Sequence, residues 1–165
     1  TNYSRLNEIL EIIYNDETNL VLDAACIEIV KSKKFSSLPI ITPHEGEAAK
    51  LLGINVDEIS NKREYYAQKI SDKFSVITVL KGYETIITDG NEIYICKDGD
   101  SSLAFAGSGD ILAGLIGSFL AQGAKRIDSC LLGVSLHAYS ATNSKLKRGL
   151  TANELIDLIR KNLNQ

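Results

Sequence analysis

At 165 residues the chain has the length of one domain, and a chain of that length buries about 70% of the surface that its unfolded form exposes. Hydrophobic residues make up 44% and charged residues 24%, and 18 Lys and Arg against 21 Asp and Glu leave a net charge of −3. These values exclude a disordered chain and argue against a nucleic-acid coat. The longest apolar run, Ile111–Ala121, is too short for the roughly 20 residues that span a bilayer, and no charged-then-apolar leader opens the sequence. Neither nucleic acid nor membrane is therefore expected as a partner.

Leu6, Ile9, Leu10 and Ile13 recur at helical spacing and predict a helix over residues 4–14. The run Asn19–Ala24 predicts a buried strand, followed by a helix to about Lys33, and Leu38–Ile41 predicts a second strand. Thr42 as N-cap, Pro43 in the first helical position and Glu45 as the partner of a T-x-x-E capping box predict a short helix ended by Gly53. A helix is expected over Ser60–Phe74, then a central strand at Ser75–Leu80, whose residues are almost all β-branched or apolar. Glu84–Thr88 and Glu92–Cys96 flank Asp89-Gly90-Asn91 and predict a hairpin. A loop over 97–102 leads through Ala106-Gly107-Ser108-Gly109-Asp110 into an apolar helix to about Gln122. Residues 127–144 form another helix, and Thr151-x-x-Glu154 caps the last. Strands alternating with helices predict an α/β fold with a mostly parallel sheet. Cys26, Cys96 and Cys130 have no C-x-x-C pair and lie in apolar stretches, so free buried thiols in a reducing cytoplasm are expected. The two histidines, neither near a cysteine, offer no metal site.

Three segments carry possible chemistry. Gly107-Ser108-Gly109-Asp110 opens a helix, where free N–H groups and a partial positive charge form an anion site. Asp110 beside a phosphate would be useful as a base toward an attacking hydroxyl, which suggests phosphoryl transfer; a plain glycine turn explains the segment equally well. Thr42-Pro43-His44-Glu45-Gly46-Glu47 follows a strand, on the rim where open α/β sheets bind ligands. The capping box accounts for Thr42, Pro43 and Glu45 but not for His44, Gly46 or Glu47. Lys81-Gly82-Tyr83-Glu84-Thr85 also follows a strand, and Lys81 there can meet phosphate, or simply lie in a solvent-facing turn. Asp23 ends its strand on the same rim, where it could equally cap a helix. His137, within an apolar helix, reads as a satisfied core or interface residue.

Taken in order, VLDA, TPHEGE, VLKGYETIITDG, LAFAGSGDILAGLIGSFLAQG, LHAYSA and GLTANEL resemble the ADP/ATP-dependent NAD(P)H-hydrate dehydratases, from about Leu20 to the C-terminus. The resemblance implies a ribokinase-like fold and a repair reaction. The ring hydroxyl of hydrated NADH or NADPH is phosphorylated from ADP or ATP with Mg2+, and phosphate then leaves. It places His44, Glu45, Gly46, Glu47, Ala48, Ala49 and Lys50 against the hydrated nicotinamide, together with Asp110 as base. It places Lys81, Gly82, Tyr83, Glu84 and Thr85 against the nucleotide, with Asp100, Ser101, Ser102, Leu103, Ala104, Phe105, Ala106, Gly107, Ser108 and Gly109. Three positions depart from the family's pattern. Ala25 replaces an acid, Phe105 replaces a threonine, and Ser108 replaces a threonine in the glycine loop. The family's domain begins with a glycine-containing half absent here, so the chain is expected to be the C-terminal, nucleotide-side portion of one domain, with that half as a partner and a homo-oligomer as the assembly. A ribokinase-like kinase acting on hydroxymethylpyrimidine or a sugar, and a nucleotide-binding module without catalysis, are the alternatives.

Overall fold

Short β-branched runs build the sheet. The computed structural model describes residues 4–15, 18–144, 146 and 148–164. Strands β1 (Val21–Leu22), β2 (Ile40–Ile41) and β3 (Ile77–Leu80) run parallel; β4 (Thr85–Thr88) and β5 (Ile93–Cys96) extend the sheet as an antiparallel meander, in the order β1-β2-β3-β4-β5. The sheet is thus mixed, and its parallel half lies at the N-terminal side. Every residue of β2 and β3 is buried, as a strand covered on both faces requires.

Helices cover the two faces. Leu22, Ile41, Leu80 and Ile86 point into one cluster with residues of a 3-10 segment (Ala24–Lys31) and of helices α2 (Glu45–Leu52), α3 (Val56–Asn61) and α4 (Arg63–Phe74). Ile40, Ile77, Val79 and Ile87 point into the other, against α5 (Ser108–Ala121) and α6 (Arg126–Thr142). The final helix, α7 (Ala152–Asn162), packs Leu155 and Ile159 over that layer. Helix α1 (Ser4–Ile13) buries Leu10 but leaves Ile9, Ile12 and Ile13 exposed. No helix among the described residues is long and apolar enough to cross a membrane.

The elements expected from local signals are present. Asp89 Oδ1 accepts the N–H groups of Asn91 and Glu92 in the β4–β5 turn, and these bonds hold its carboxyl below the usual range. Thr151 and Glu154 form the expected box at the start of α7. Several expectations need correction, among them the second strand, which is Ile40–Ile41 rather than Leu38–Ile41. The first strand shrinks to two residues, because Asp23 and Ala24 leave the ladder, Ala24 with φ 50°. The helix after it is 3-10 rather than α. The helix expected over 60–74 breaks at Lys62 (φ −144°, ψ 53°), giving α3 and α4. Finally, only Cys130 is buried, with its thiol pushed up to about 12 by desolvation; Cys26 and Cys96 are half-buried.

Candidate active site

Because β1, β2 and β3 are parallel, their carboxyl ends share one rim. There the chain delivers Asp23, Thr42 to His44, and Lys81 side by side. The rim extends past the strands: Lys81 N–H donates to the Pro43 carbonyl (2.8 Å), and His44 and Lys81 form an isolated parallel bridge. Lys81 Nζ and Thr42 Oγ1 both donate to Asp23 Oδ1, at 2.9 and 2.6 Å. Thr42 is fully buried, and the Lys81 and Asp23 side chains are only 20% and 16% exposed. Asp23 occupies the N-cap position of the 3-10 segment, yet its side chain makes no capping bond; the rim uses it instead.

The N-terminus of α5 meets this rim. Gly107 is its N-cap at φ 95°, a conformation that favours glycine, and no side chain caps the helix. Of the first-turn N–H groups, which have no acceptor within a helix, that of Ser108 donates to the Phe105 carbonyl at 3.3 Å, which leaves those of Gly109 and Asp110 for a ligand. A Cβ added to Gly109 would sit 3.2 Å from Lys81 Nζ and 3.8 Å from Asp23 Oδ2. The ammonium, the carboxylate and the glycine backbone therefore enclose one spot, and a side chain at residue 109 would crowd the Lys81 ammonium there. Asp110 follows in the first turn of α5, exposed to solvent. Below the loop, His137 Nε2 lies 3.0 Å from the Ser108 carbonyl oxygen and 3.3 Å from Ser108 Oγ.

The TPHEGE segment folds two residues out of the expected register. The N-cap of α2 is His44, not Thr42, and the box partner is Glu47, not Glu45. His44 Nδ1 accepts from Gly46 N (3.0 Å) and Glu47 N (3.3 Å), while Glu47 Oε2 accepts from His44 N (2.8 Å). A Cβ on Gly46 would lie 2.9 Å from the His44 ring. The residues that the sequence left unexplained are thus the cap itself, and Thr42 is released to Asp23. Ala48 and Ala49 are buried in the core, and Lys50 pairs with Glu28 at 2.7 Å. These three face away from Asp23 and Lys81, into the core and toward Glu28, whereas the His44 ring is mostly exposed.

In the turn after β3, Gly82 (φ 148°) and Glu84 (φ 57°) reverse the chain, and Tyr83 is exposed. Thr85 Oγ1 donates to the Gly82 carbonyl at 3.3 Å. Sequence reasoning did not single out Arg63, which shapes this turn. Its guanidinium donates to the Leu80 carbonyl (3.2 Å) and to that of Tyr83, and its Nε pairs with Glu45 at 3.2 Å. Glu45 Oε2 also accepts from Ser60 Oγ at 2.6 Å. Arg63 thereby joins the segments beginning at Thr42 and at Lys81, and no local pattern announces it. A cleft of about 400 Å3 lies beside it, between the start of α4 and Tyr83.

The approach to the glycine loop is ordered by its own short bonds. Asp100 Oδ1 accepts from Ser102 N (2.9 Å) and caps a 3-10 turn, Ser101–Leu103. Gly99 N–H donates to Thr142 Oγ1 of α6. Leu103 and Phe105 pack against the layer that contains α7, so Phe105 serves the packing of the loop, while Ala104 and Ala106 are exposed. Among the described residues, no group of three or more His, Cys, Asp or Glu side chains is placed to hold a metal ion.

Comparison with known proteins agrees with this architecture. The family model described as NAD(P)H-hydrate dehydratase matches residues 2–162. The bifunctional NAD(P)H-hydrate repair enzyme Nnr of Vibrio cholerae is 34% identical over 165 residues, covering 98% of this chain and 33% of that protein. The ADP/ATP-dependent NAD(P)H-hydrate dehydratase of Bacillus subtilis, co-crystallized with ATP/Mg2+ and soaked with CoA, superposes with a TM-score of 0.87 at 27% identity, over 96% of this chain and 60% of that one. A ribokinase-like superfamily protein of Enterococcus faecalis superposes with a TM-score of 0.80 at 22% identity, over 98% of this chain and 59% of that one, a likeness of fold. The chain thus spans 33% of the Vibrio protein and about 60% of each of these structures.

Proposed function

The chain belongs to the NAD(P)H-hydrate dehydratase family, with a ribokinase-like fold, and from that premise we propose that it carries the nucleotide-side catalytic part of an enzyme that dehydrates hydrated NADH or NADPH with ADP or ATP. The observation that carries this reading is the meeting of Lys81, Asp23 and Gly109 at an uncapped helix N-terminus, with Asp110 as the next residue. A helix start with backbone access and a neighbouring ammonium suits a phosphate group.

Each segment then takes a role. The backbone of Gly107, Ser108 and Gly109 binds the terminal phosphate, and Lys81 offsets its charge. Asp110 receives the proton of the ring hydroxyl as that oxygen takes the phosphoryl group. Phosphate then departs with the electrons of the carbon–oxygen bond, and loss of a proton from the adjacent ring carbon supplies the pair that restores the ring's double bond. Lys81–Thr85 and Asp100–Gly109 line the nucleotide, and His44–Glu47 lie on the nicotinamide side with the exposed His44 ring foremost, while Ala48, Ala49 and Lys50 hold that helix in place from its far side. A bound Mg2+ would neutralise phosphate charge. The donor set fits such an ion, because Mg2+ needs only one or two carboxylates beyond phosphate and water, and Asp110 and Asp23 are the carboxylates at this mouth. Further sheet and helix of such a domain are proposed partners, supported by the exposed Ile9, Ile12 and Ile13 of α1 and by the open edge of β1. A symmetric oligomer and a cytoplasmic setting, where free thiols stay reduced, complete the proposal.

The test mixes the protein with hydrated NADH, Mg2+ and either ADP or ATP and follows the near-ultraviolet absorbance of reduced nicotinamide. A nucleotide-dependent rise is expected, lost in Asp110→Ala although nucleotide still binds. A stable phosphorylated product without restored cofactor would turn the reading into a kinase. No rise from the chain joined to the rest of a family domain would refute the dehydratase.

A further inference from the structure

Under the glycine loop sits a buried imidazole that the proposed chemistry leaves unused. His137 lies in the middle of α6 and is 6% exposed. Its position follows from close packing of α5 and α6. Gly133, one turn earlier on the same face of α6, has no room for a side chain: a Cβ there would lie 2.7 Å from Ile116 Cγ1 and 3.4 Å from the Ile116 backbone. That approach seats the His137 ring against the first turn of α5.

The bonds it makes there have a direction. The Ser108 carbonyl can only accept, so Nε2 at 3.0 Å is the protonated ring nitrogen and donates to it. Ser108 Oγ, at 3.3 Å, shares the same N–H as a second acceptor. The Ser108 carbonyl belongs to the peptide unit whose N–H is that of Gly109. This unit is planar and trans, so its C=O and N–H point in opposite directions. A carbonyl held toward α6 turns the Gly109 N–H away from it, out of the N-terminal end of α5, and a Cβ at residue 109, which also tilts toward the helix N-terminus, would lie 3.2 Å from Lys81 Nζ. We propose that His137 is a positioning residue of the anion loop, which, through the Ser108–Gly109 peptide, aims the Gly109 N–H at the phosphate held beside Lys81. The proposal rests on the reading of this loop as a phosphate site. Burial keeps the ring a neutral donor at ordinary pH, since desolvation takes its pKa down to about 4.

Two variants separate positioning from filling. His137→Leu keeps volume and removes the donor, whereas His137→Gln keeps an N–H at about the reach of Nε2. Amide exchange of Ser108 and Ile111, whose N–H groups are bonded to the Phe105 and Gly107 carbonyls of the same loop, is measured in the nucleotide-free proteins, with the affinity for Mg2+·ATP measured alongside. In His137→Leu the two amides exchange about tenfold faster and ATP binds about tenfold more weakly, the loss of one buried hydrogen bond; His137→Gln restores both. Unchanged exchange and affinity in His137→Leu, or a folded His137→Gln that behaves like the leucine variant, would overturn the proposal. If His137→Leu does not fold, the wild-type Nε2–H resonance decides: it is expected to move together with the Gly109 amide as ATP or inorganic phosphate is added, and a Gly109 shift without it overturns the proposal. Failure of every variant and of the wild type to bind ATP counts against the phosphate reading, while the exchange comparison still decides whether His137 holds the loop.

Discussion

The pairing of Lys81 with Asp23 gives the most direct test of the rim. The two charges are 2.9 Å apart and mostly buried. At an effective dielectric of about 20, such a pair attracts by about 6 kcal/mol, and desolvation of both groups offsets most of that. Loss of one partner is another matter, because the survivor stays desolvated. Lys81→Met leaves the Asp23 carboxylate with only the Thr42 hydroxyl and is expected to cost about 3 kcal/mol of folding stability. Asp23→Asn costs less, about 1–2 kcal/mol, because the lysine stem can carry its ammonium out to water. The double variant should lose little more than Asp23→Asn does alone, giving a coupling of about 2 kcal/mol. Urea unfolding of the four proteins at pH 7 measures this. Single effects that add to within about 0.5 kcal/mol would refute the pairing as an energetic unit. The same set titrated with ADP and ATP tests the functional half. Lys81→Met is expected to weaken binding by about 10- to 100-fold, the worth of one charged hydrogen bond, and the double variant should recover part of that as the Asp23 charge goes. Wild-type affinity in Lys81→Met would remove Lys81 from the phosphate site.

Gly82→Ala is expected to lower stability by about 1–3 kcal/mol, measured by thermal unfolding, because φ is 148° and a Cβ would lie 2.8 Å from Arg63 Nη2. Gly46→Ala should unseat the His44 ring and cost about 1 kcal/mol, the worth of a helix cap, with little further loss when combined with His44→Ala. The unfolded state binds a proton to His137 at its ordinary 6.5, while the folded state does so only at about 4. The contribution of His137 to stability is therefore complete above pH 6.5 and falls as pH drops toward 4. Over that window wild-type protein should lose about 3 kcal/mol more than His137→Gln in pH-dependent unfolding.

What could be read from the sequence was whatever neighbours in sequence decide. The turn at Asp89-Gly90 and the box at Thr151 and Glu154 close on themselves within four residues, and both stand as expected. The strand runs were legible too, since burial on both faces selects uninterrupted apolar residues. The cap of α2 was misplaced for an instructive reason. Thr42 with Glu45 and His44 with Glu47 both satisfy a box at the same spacing, and a partner 19 residues away, Asp23, selects between them by taking the Thr42 hydroxyl. The rim was foreseeable as a location, because ligand sites gather at the carboxyl ends of parallel strands. Its internal contacts were not. Lys81 meets Asp23 across 58 residues of sequence, and Arg63 and His137 act on backbone carbonyls, which no residue pattern marks.

Under the proposed function, the charges at this mouth also say what a nucleotide would need in order to enter. Lys81 is already matched by Asp23, and Asp110 adds a second carboxylate on the first turn of α5. The helix start returns only about half a positive charge. A polyphosphate approaching these residues therefore meets no net positive charge from the side chains, and repulsion by Asp110 is part of the cost of binding. With a divalent cation bound between them, Asp110 would act as a ligand to the ion rather than repel the phosphate. Nucleotide binding should accordingly depend on the cation: chelation weakens ADP and ATP binding by at least about tenfold in the wild type. In Asp110→Asn, metal-free binding should tighten relative to wild type while the gain from Mg2+ shrinks. Isothermal titration with and without chelator reads both effects. Equal affinity in the two conditions, or an Asp110→Asn variant whose response to Mg2+ matches the wild type, would show that Asp110 does not face the phosphates.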